Sequence, residues 1–220
     1  MTLKNINDIM LFLDDWVAKH GSYVNEGLIP GKASKRLNFF HVLEASKLGI
    51  QQVRDEIKEF IEVILNKGST DNILEIGLGY YGGTHILWQQ IFNQVVTIEL
   101  NPLVALKFKI SENLNGKDKI ILGNSHKSKT WDKVYKYAQY DVLFIDADHT
   151  YEGIKSDYLD YAKLVKKNGI IAFHDSVCRV EGFGIAEFLM ELAQGNIDNV
   201  KHNIHQIVHS KCVGIAYVES

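Results

Sequence analysis

Residues 73–84 have the sequence Ile-Leu-Glu-Ile-Gly-Leu-Gly-Tyr-Tyr-Gly-Gly-Thr. A short apolar run, 73–76, is followed by glycines in the pattern GxGxxG and then by a stretch with helical spacing, 84–92. Glycines allow the backbone to turn sharply and to approach a ligand closely. The stretch therefore predicts a strand, a ligand-binding loop and a helix in that order.

Outward from this loop, apolar runs alternate with helical stretches, which is typical of βαβ units around a parallel sheet. The predicted strands are 73–76, 95–98, 120–122, 142–145 and 170–173. The predicted helices are 84–92, 103–114, 129–137, 151–166 and 185–193. Two further strand-like runs, 205–209 and 213–218, are separated by three residues and can pair only as an antiparallel hairpin. We expect an α/β fold with a Rossmann-like seven-stranded sheet, five strands parallel, flanked by helices.

The first 69 residues do not follow this alternation, and we expect them to form an N-terminal helical extension to a domain at 70–220. Helical spacing of apolar residues is found in 3–20 and 51–65, with a glycine-containing loop between them. Aromatic and imidazole side chains near that loop, Tyr23, Phe39, Phe40 and His41, indicate a lid or a dimer contact. Simple helical packing on the sheet is the alternative.

Composition limits the class of protein. The chain has 220 residues, 46% of them hydrophobic, and a net charge of −3 with basic and acidic residues interspersed. These values favour one domain and give no basic surface for nucleic acid. Cys178 and Cys212 form no CxxC pair, which is typical of a reducing compartment, so we expect a cytoplasmic protein. The apolar run 9–13 is too short to span a membrane.

Two acidic residues distinguish between possible ligands of the glycine loop. Glu99 ends the second predicted strand, where a carboxylate accepts hydrogen bonds from ribose hydroxyls. Glu75 precedes the first glycine by two residues, and a carboxylate there would repel the phosphates of a dinucleotide. S-adenosylmethionine (SAM) carries an ammonium and a sulfonium instead. An NAD(P)-binding oxidoreductase is the alternative, and the pair Tyr151 and Lys155 superficially supports it.

Several motifs resemble those of class I SAM-dependent methyltransferases. Residues 75–79 are similar to the first motif, 96–99 to the second, and 123–126 to the loop that contacts adenine. Residues 144–153 and 168–176 resemble a narrower group of small-molecule and sugar O-methyltransferases. The resemblance covers about 70–218. It implies SAM as cofactor, a small-molecule acceptor, and these cofactor-binding residues: Glu75, Gly77, Gly79, Gly82, Thr84, Glu99, Asn124, Ser125, His126 and Asp146.

Acids and imidazoles follow the fourth and fifth predicted strands. Because parallel strands end at one crevice, Asp146 and His149 should face His174 and Asp175. We predict His149 as general base and Asp146 as its catalytic partner. The resemblance to metal-dependent O-methyltransferases implies a divalent site at Asp146, His174 and Asp175. His174 departs from the all-oxygen sets that Mg²⁺ prefers, so a softer ion or no metal remains open.

Two further alternatives for the function stay open at this point. One is a SAM-binding protein without catalytic activity. A second is methylation of a base or protein amine, although the Asn/Asp-Pro-Pro-aromatic loop of base-amine methyltransferases is absent, since the chain has only Pro30 and Pro102. The oligomeric state also stays open, a homo-oligomer included, because the sequence gives no information on it. We expect no nucleic-acid and no membrane partner.

Overall fold

The computed structural model describes residues 5–24, 49–68, 70–111, 116–211 and 213–220. The helices are α1 (Ile6–His20), α2 (Arg54–Lys67), α3 (Gly83–Ile91), α4 (Pro102–Ser111), α5 (Ser128–Tyr135), α6 (Tyr151–Tyr161) and α7 (Ile185–Gln194). The strands are β1 (Asn72–Ile76), β2 (Gln94–Glu99), β3 (Lys119–Leu122), β4 (Tyr140–Ile145), β5 (Val165–His174), β6 (His205–Ile207) and β7 (Ile215–Glu219). A 3₁₀ turn, Ala162–Leu164, connects α6 to β5.

The strands form one sheet in the order β3-β2-β1-β4-β5-β7-β6. Strands β1 to β5 are parallel, whereas β7 pairs antiparallel with both β5 and β6. This arrangement confirms the predicted Rossmann-like seven-stranded sheet with its antiparallel C-terminal pair. The chain order reverses between β1 and β4, which is the position where open parallel sheets bind ligands.

Helices cover both faces of the sheet because its central strands are buried on both sides and mostly apolar. All six residues of β4 are buried, as expected for a parallel strand covered on both sides. Alternate residues belong to different clusters: Val142 and Phe144 to the cluster under α1 to α3, and Leu143 and Ile145 to the cluster under α6 and α7. The parallel strands therefore present their carboxyl ends along one edge of the layered core. None of the helices in the described ranges is long and apolar enough to cross a membrane.

The N-terminal helices share the hydrophobic core of the sheet. Asn5 caps the N-terminus of α1, since its side chain accepts a hydrogen bond from the amide of Asn7, and Gly21 caps the C-terminus. Its buried residues Ile9 and Leu13 belong to the same cluster as Trp88 of α3. Arg54 donates two hydrogen bonds to Asp14 and so joins α2 to α1. Of the predicted lid residues, Tyr23 donates to Asp14, while Phe39, Phe40 and His41 lie outside the described residues.

Element boundaries differ from the predictions most clearly before β5. The sequence predicts a helix through Lys166, but α6 ends at Tyr161 and the strand already begins at Val165. Lys166 is held on the strand by an ion pair with Asp141 at 2.8 Å, and Asn168 adopts a positive φ of 63°. The first residues of β5 include the polar run 166–168, which is partly or fully exposed, whereas 169–174 are buried. Hydrophobic periodicity therefore identifies only the second part of this strand. The hairpin strands are also shorter than predicted.

Candidate functional site

A cavity of about 440 Å³ opens at the carboxyl ends of β1 to β4. Seven of the ten predicted cofactor-binding residues line it: Gly77, Gly79, Glu99, Asn124, Ser125, His126 and Asp146. Gly82 and Thr84 instead line a smaller adjoining cavity, which they share with Gly79, Asp146 and the N-terminal residues 49–51. The topology therefore brings four separate strand ends to one ligand-sized space.

The glycine loop needs its glycines for close packing as well as for conformation. Gly77 has a φ of 99°, and a Cβ atom there would lie 1.9 Å from the carbonyl oxygen of Asp146. The Gly77 amide donates to the carbonyl of Ile98, and the Asp146 amide donates to that of Ile76. The loop after β1 is thus fixed directly against the backbone of the loop after β4.

Glu75 lies behind the glycine loop and not among the residues that line the larger cavity. Its carboxylate is fully buried and accepts hydrogen bonds from Trp88 Nε1 at 3.2 Å and Thr97 Oγ1 at 2.6 Å. Burial raises the pKa of Glu75 to about 8, against the lowering effect of hydrogen bonds from Thr84, Thr97 and Trp88. Glu75 thus joins β1 to α3 and β2, and its contact with the cofactor stays a prediction.

A buried histidine completes the network around Glu75. His85 Nδ1 lies 2.7 Å from Thr97 Oγ1, and Thr97 Oγ1 lies 2.6 Å from Glu75 Oε2. Thr97 therefore links the imidazole to the buried acid. Burial lowers the pKa of His85 to about 3, so the ring is neutral at physiological pH.

Glu99 faces the cavity from the end of β2. One carboxylate oxygen accepts the amide hydrogen of Leu78 at 3.1 Å, and the other accepts that of Asn101 at 2.6 Å. Two backbone donors fix the carboxylate, and each oxygen retains a further lone pair for a ligand hydroxyl.

The loop after β3 is held by the side chain of its own Asn124 and by residues of α6. Asn124 Oδ1 accepts the amide hydrogen of His126 at 2.8 Å, and Tyr161 donates its hydroxyl hydrogen to the Ser125 carbonyl at 2.8 Å. His126 Nε2 lies 3.3 Å from Oδ1 of Asp157, a fully buried residue of α6. These contacts position Asn124, Ser125 and His126 along one wall of the cavity.

Two carboxylates and two imidazoles meet at the ends of β4 and β5. His149 Nε2 lies 3.4 Å from Asp146 Oδ1 and 3.2 Å from Asp175 Oδ2. His174 Nδ1 lies 3.2 Å from Asp146 Oδ1 and 3.4 Å from Asp175 Oδ1. The four residues that the sequence places at this crevice therefore form one cluster, which we call the Asp/His cluster.

Electrostatics within the Asp/His cluster favour charged side chains. Burial opposes the charged forms, but the carboxylates outweigh it and raise the pKa of His149, and that of His174 further. The two imidazoles likewise outweigh burial and lower the pKa of Asp146. Asp146 and the two imidazoles therefore favour each other's charged forms.

Donor atoms of Asp146, His149 and Asp175 all lie within 4.8 Å of one another, close enough to share a metal ion. His174, predicted as the imidazole ligand, is not part of this group and is only 4% exposed. Neither of its ring nitrogens has a hydrogen bond of good geometry within the described part of the chain. Two carboxylate oxygens and one nitrogen suit a divalent ion such as Mn²⁺, Fe²⁺ or Zn²⁺ better than Mg²⁺. The residues present thus fit a divalent metal.

The loop after β4 also orients its own side chains. Asp148 Oδ1 accepts the amide and hydroxyl hydrogens of Thr150, and Thr150 caps α6 at Gly153. The His149 ring stacks on Phe183 with their centroids 4.6 Å apart. Capping and stacking hold His149 toward the two carboxylates.

Three residues at the site were not singled out from the sequence: Gln52, Asp157 and Phe183. Gln52 is fully buried, and its Nε2 lies 3.4 Å from Asp146 Oδ2. Asp157 and Phe183 contact His126 and His149 respectively. For Asp157 the sequence does hold a signal, since it is an acid directly beside the apolar positions Ile154 and Tyr158, with which it is buried on α6. The other two depend on long-range packing.

A comparison with protein families matches residues 75–176 to a methyltransferase domain family. These residues include the glycine loop, Glu99, the loop after β3 and the whole Asp/His cluster. A protein of Sinorhizobium fredii with no assigned function is 32% identical over 53 residues, which are 24% of this chain and 6% of the relative.

Solved structures share the fold at low sequence identity. A Klebsiella pneumoniae protein assigned as an O-methyltransferase is 18% identical, with 94% of this chain and 98% of that one covered and a TM-score of 0.59. A Staphylococcus aureus protein assigned as a caffeoyl-CoA O-methyltransferase is 20% identical, with coverages of 83% and 89% and a TM-score of 0.60.

The methyltransferase MycE of the mycinamycin biosynthetic pathway, in complex with Mg, S-adenosylhomocysteine (SAH) and mycinamycin VI, is 16% identical with a TM-score of 0.56. The match covers 74% of this chain and about half of MycE, 49% of its length. The fold is that of Rossmann-like methyltransferases.

Proposed function

We propose that this protein is a SAM-dependent O-methyltransferase that transfers a methyl group to a hydroxyl of a small molecule. One observation carries the proposal: Asp146 lines the cavity that contains Glu99 and also belongs to the Asp/His cluster. A cofactor bound at Glu99 and an acceptor bound at the cluster would therefore be adjacent. The methyltransferase family match over residues 75–176 supports the reaction class.

In this proposal the cofactor occupies the larger cavity. The carboxylate of Glu99 accepts hydrogen bonds from the ribose hydroxyls, as carboxylates at this strand end do in nucleotide-binding sheets. The Asn124 to His126 wall contacts the adenine, and the methionine end lies toward Gly77 and Asp146. The reactive methyl group would then point to the crevice that holds His149.

Methyl transfer requires an acceptor oxygen that has lost its proton. Only the neutral imidazole can act as a base, so His149 first releases its own proton to solvent. It then takes the hydroxyl proton, and the carboxylates of Asp146 and Asp175 stabilise the resulting imidazolium. The oxygen then attacks the methyl carbon, a C–O bond forms, and the C–S bond breaks with its electron pair going to sulfur. The products are the methyl ether and SAH.

A divalent ion fits the same residues. Asp146, His149 and Asp175 would hold it, and it would lower the pKa of a bound acceptor hydroxyl. His149 cannot bind an ion and accept a proton at the same nitrogen. The metal dependence of the rate therefore decides which role His149 has.

The first test is calorimetric titration with SAM, SAH and NAD. We expect SAM and SAH to bind, and binding to be lost in Glu99→Ala but retained in Glu187→Ala, a control that removes an exposed glutamate of α7. Glu99→Gln keeps an acceptor oxygen for Leu78 and separates loss of the ribose contact from loss of folding. Binding of NAD alone would contradict the proposal.

The acceptor is then sought with a panel of sugars, polyketides and phenols. Product formation is followed by mass spectrometry as the gain of one methyl group, with and without Mn²⁺ or Mg²⁺. Methylation only of amines or of macromolecules would contradict an O-methyltransferase of small molecules.

A further inference from the structure

Asp157 is a fully buried carboxylic acid beside the cofactor cavity. It lies on α6 with its side chain opposite His126, and Oδ1 is 3.3 Å from Nε2 of that ring. The His126 side chain is 28% exposed and lines the cavity. A buried acid is costly unless it has a defined partner, so this contact requires an explanation beyond packing.

The backbone that carries the imidazole is held by neighbouring side chains. The backbone of His126 is held by Asn124 Oδ1, and the Ser125 carbonyl is held by the hydroxyl of Tyr161. Burial raises the pKa of Asp157 to about 6, with Ser125 and His126 opposing the shift and Asp148 adding to it. At pH 8 Asp157 is therefore a carboxylate.

The protonation pattern of His126 follows from what a carboxylate can do. The contact between Asp157 Oδ1 and His126 Nε2 lacks hydrogen-bond geometry, but a carboxylate oxygen facing Nε2 repels a lone pair there and so favours the tautomer with hydrogen on Nε2. In the neutral ring the lone pair is then on Nδ1, and His126 is one of the residues that line the cavity. Nδ1 of His126 has no hydrogen-bond partner within the described residues.

We propose that Asp157 is a positioning residue that keeps the His126 proton on Nε2, so that Nδ1 accepts a hydrogen bond from the exocyclic amine of adenine. Asp157 thereby selects an aminopurine cofactor over an oxopurine one. The inference rests on the proposed binding of SAM. It assigns to Asp157 a role that neither its burial nor its place on α6 requires.

The test uses SAH and S-inosylhomocysteine, in which a carbonyl oxygen replaces the amine. In the wild-type protein at pH 8 we expect SAH to bind roughly tenfold or more tightly than the inosine analogue, because two acceptors would face each other. In Asp157→Asn the amide can present either its oxygen or its NH₂ to Nε2, so the tautomer is no longer fixed. The preference for SAH should fall severalfold.

Two controls separate this role from a structural one. Asp160→Asn makes the same change on the exposed side of α6 and should leave the preference unchanged. In a His126→Ala background, Asp157→Asn should have no further effect on the preference, since the residue acts through the imidazole. The ¹⁵N chemical shifts of His126 give a direct readout, with hydrogen on Nε2 in the wild type and a mixture of tautomers in Asp157→Asn.

The outcomes are distinguishable. If neither SAH nor SAM binds the wild-type protein, the proposed function itself fails. If SAH binds but Asp157→Asn keeps the wild-type preference and tautomer, SAM binding stands and the role of Asp157 is overturned. An equal loss of affinity for both ligands would show a purely structural contribution and would also overturn it.

Discussion

The side-chain amide of Gln52 lies 3.4 Å from Oδ2 of Asp146, across 94 residues of sequence. Gln52 precedes α2 and is fully buried, and its Oε1 has no hydrogen-bond partner among the described residues. The N-terminal region therefore reaches the carboxylate shared by the cofactor cavity and the Asp/His cluster. This contact joins a segment without a recognisable motif to the centre of the site.

Replacing Gln52 by leucine should affect binding and stability differently. The variant removes a buried oxygen that has no partner, so the free energy of unfolding should change by less than about 1 kcal/mol or increase. Asp146 loses the group that orients it. The affinity of the variant for Mn²⁺ should therefore fall roughly tenfold, as is typical when a residue that hydrogen-bonds a metal ligand is removed. Urea denaturation and calorimetry measure the two quantities.

Gln194→Leu, on the surface of α7, is the matched control for Gln52→Leu and should leave Mn²⁺ affinity unchanged. An unaltered affinity in Gln52→Leu would mean that Gln52 only fills space beside Asp146.

The close contact between the loops after β1 and β4 predicts a large effect of Gly77→Ala. The new Cβ would lie 1.9 Å from the Asp146 carbonyl oxygen, so either the loop or the Asp146 backbone must move. Gly68→Ala is the control, because Gly68 also has a positive φ, 73°, but has nothing within 4 Å. Gly68→Ala should cost about 1 to 2 kcal/mol of unfolding free energy, and Gly77→Ala should cost at least roughly 2 kcal/mol more.

Thermal and urea denaturation of both glycine variants give the comparison. Equal destabilisation would show that conformation alone, and not the approach to Asp146, requires glycine at position 77.

The sheet could be predicted because the parallel strands are largely buried on both faces and therefore contain short, mostly apolar runs. The same periodicity misplaced the start of β5, where Lys166 lies on the strand but pairs with Asp141 instead of packing in the core. The helical spacing predicted over 51–65 likewise stops close to the observed end of α2, which is capped by Gly68. Local sequence patterns thus predict which helices and strands are present better than they predict the residues at which these elements begin and end.

The candidate site, like the fold, could be predicted only in part. Glu99, Asp146, His149 and Asp175 come together because strand ends of a parallel sheet share one edge, which the sequence indicates. The direction of the Glu75 carboxylate, away from the larger cavity, depends on Trp88 and Thr97 and could not be predicted from its position near the glycines. The grouping of His149, and not His174, with Asp146 and Asp175 likewise depends on side-chain positions that the sequence does not specify.

Metal binding to the Asp/His cluster should strengthen as the pH rises. The carboxylates raise the pKa of His149 against the effect of burial, so the imidazole holds its proton more tightly than a free imidazole does, and that proton must leave before Nε2 can bind an ion. We expect the affinity for Mn²⁺ to be higher at pH 8.5 than at pH 6.5. Calorimetry in buffers with different ionisation enthalpies should show net proton release on binding.

His149→Gln should reduce both the affinity for Mn²⁺ and the number of protons released. His202→Gln is its control, since His202 is also paired with a carboxylate, Asp198 Oδ2 at 2.8 Å, but lies outside the cluster. If His149→Gln keeps the wild-type pH dependence, another group supplies the proton and His149 is not a ligand.

Buried Glu75 predicts a stability that falls with rising pH. Its pKa is raised from 4.5 to about 8 by burial, so between these values the folded protein holds a proton that the unfolded chain has lost. The stabilising contribution is complete below the unfolded pKa and is lost as the pH rises through the folded one, with a slope of about 1.4 kcal/mol per pH unit. Glu75→Gln mimics the neutral acid, so the difference in unfolding free energy between this variant and the wild type should grow from pH 5 to pH 8. Urea denaturation across this range measures it, with the exposed Glu62→Gln as control; a difference independent of pH would show that Glu75 is ionised in the folded protein throughout.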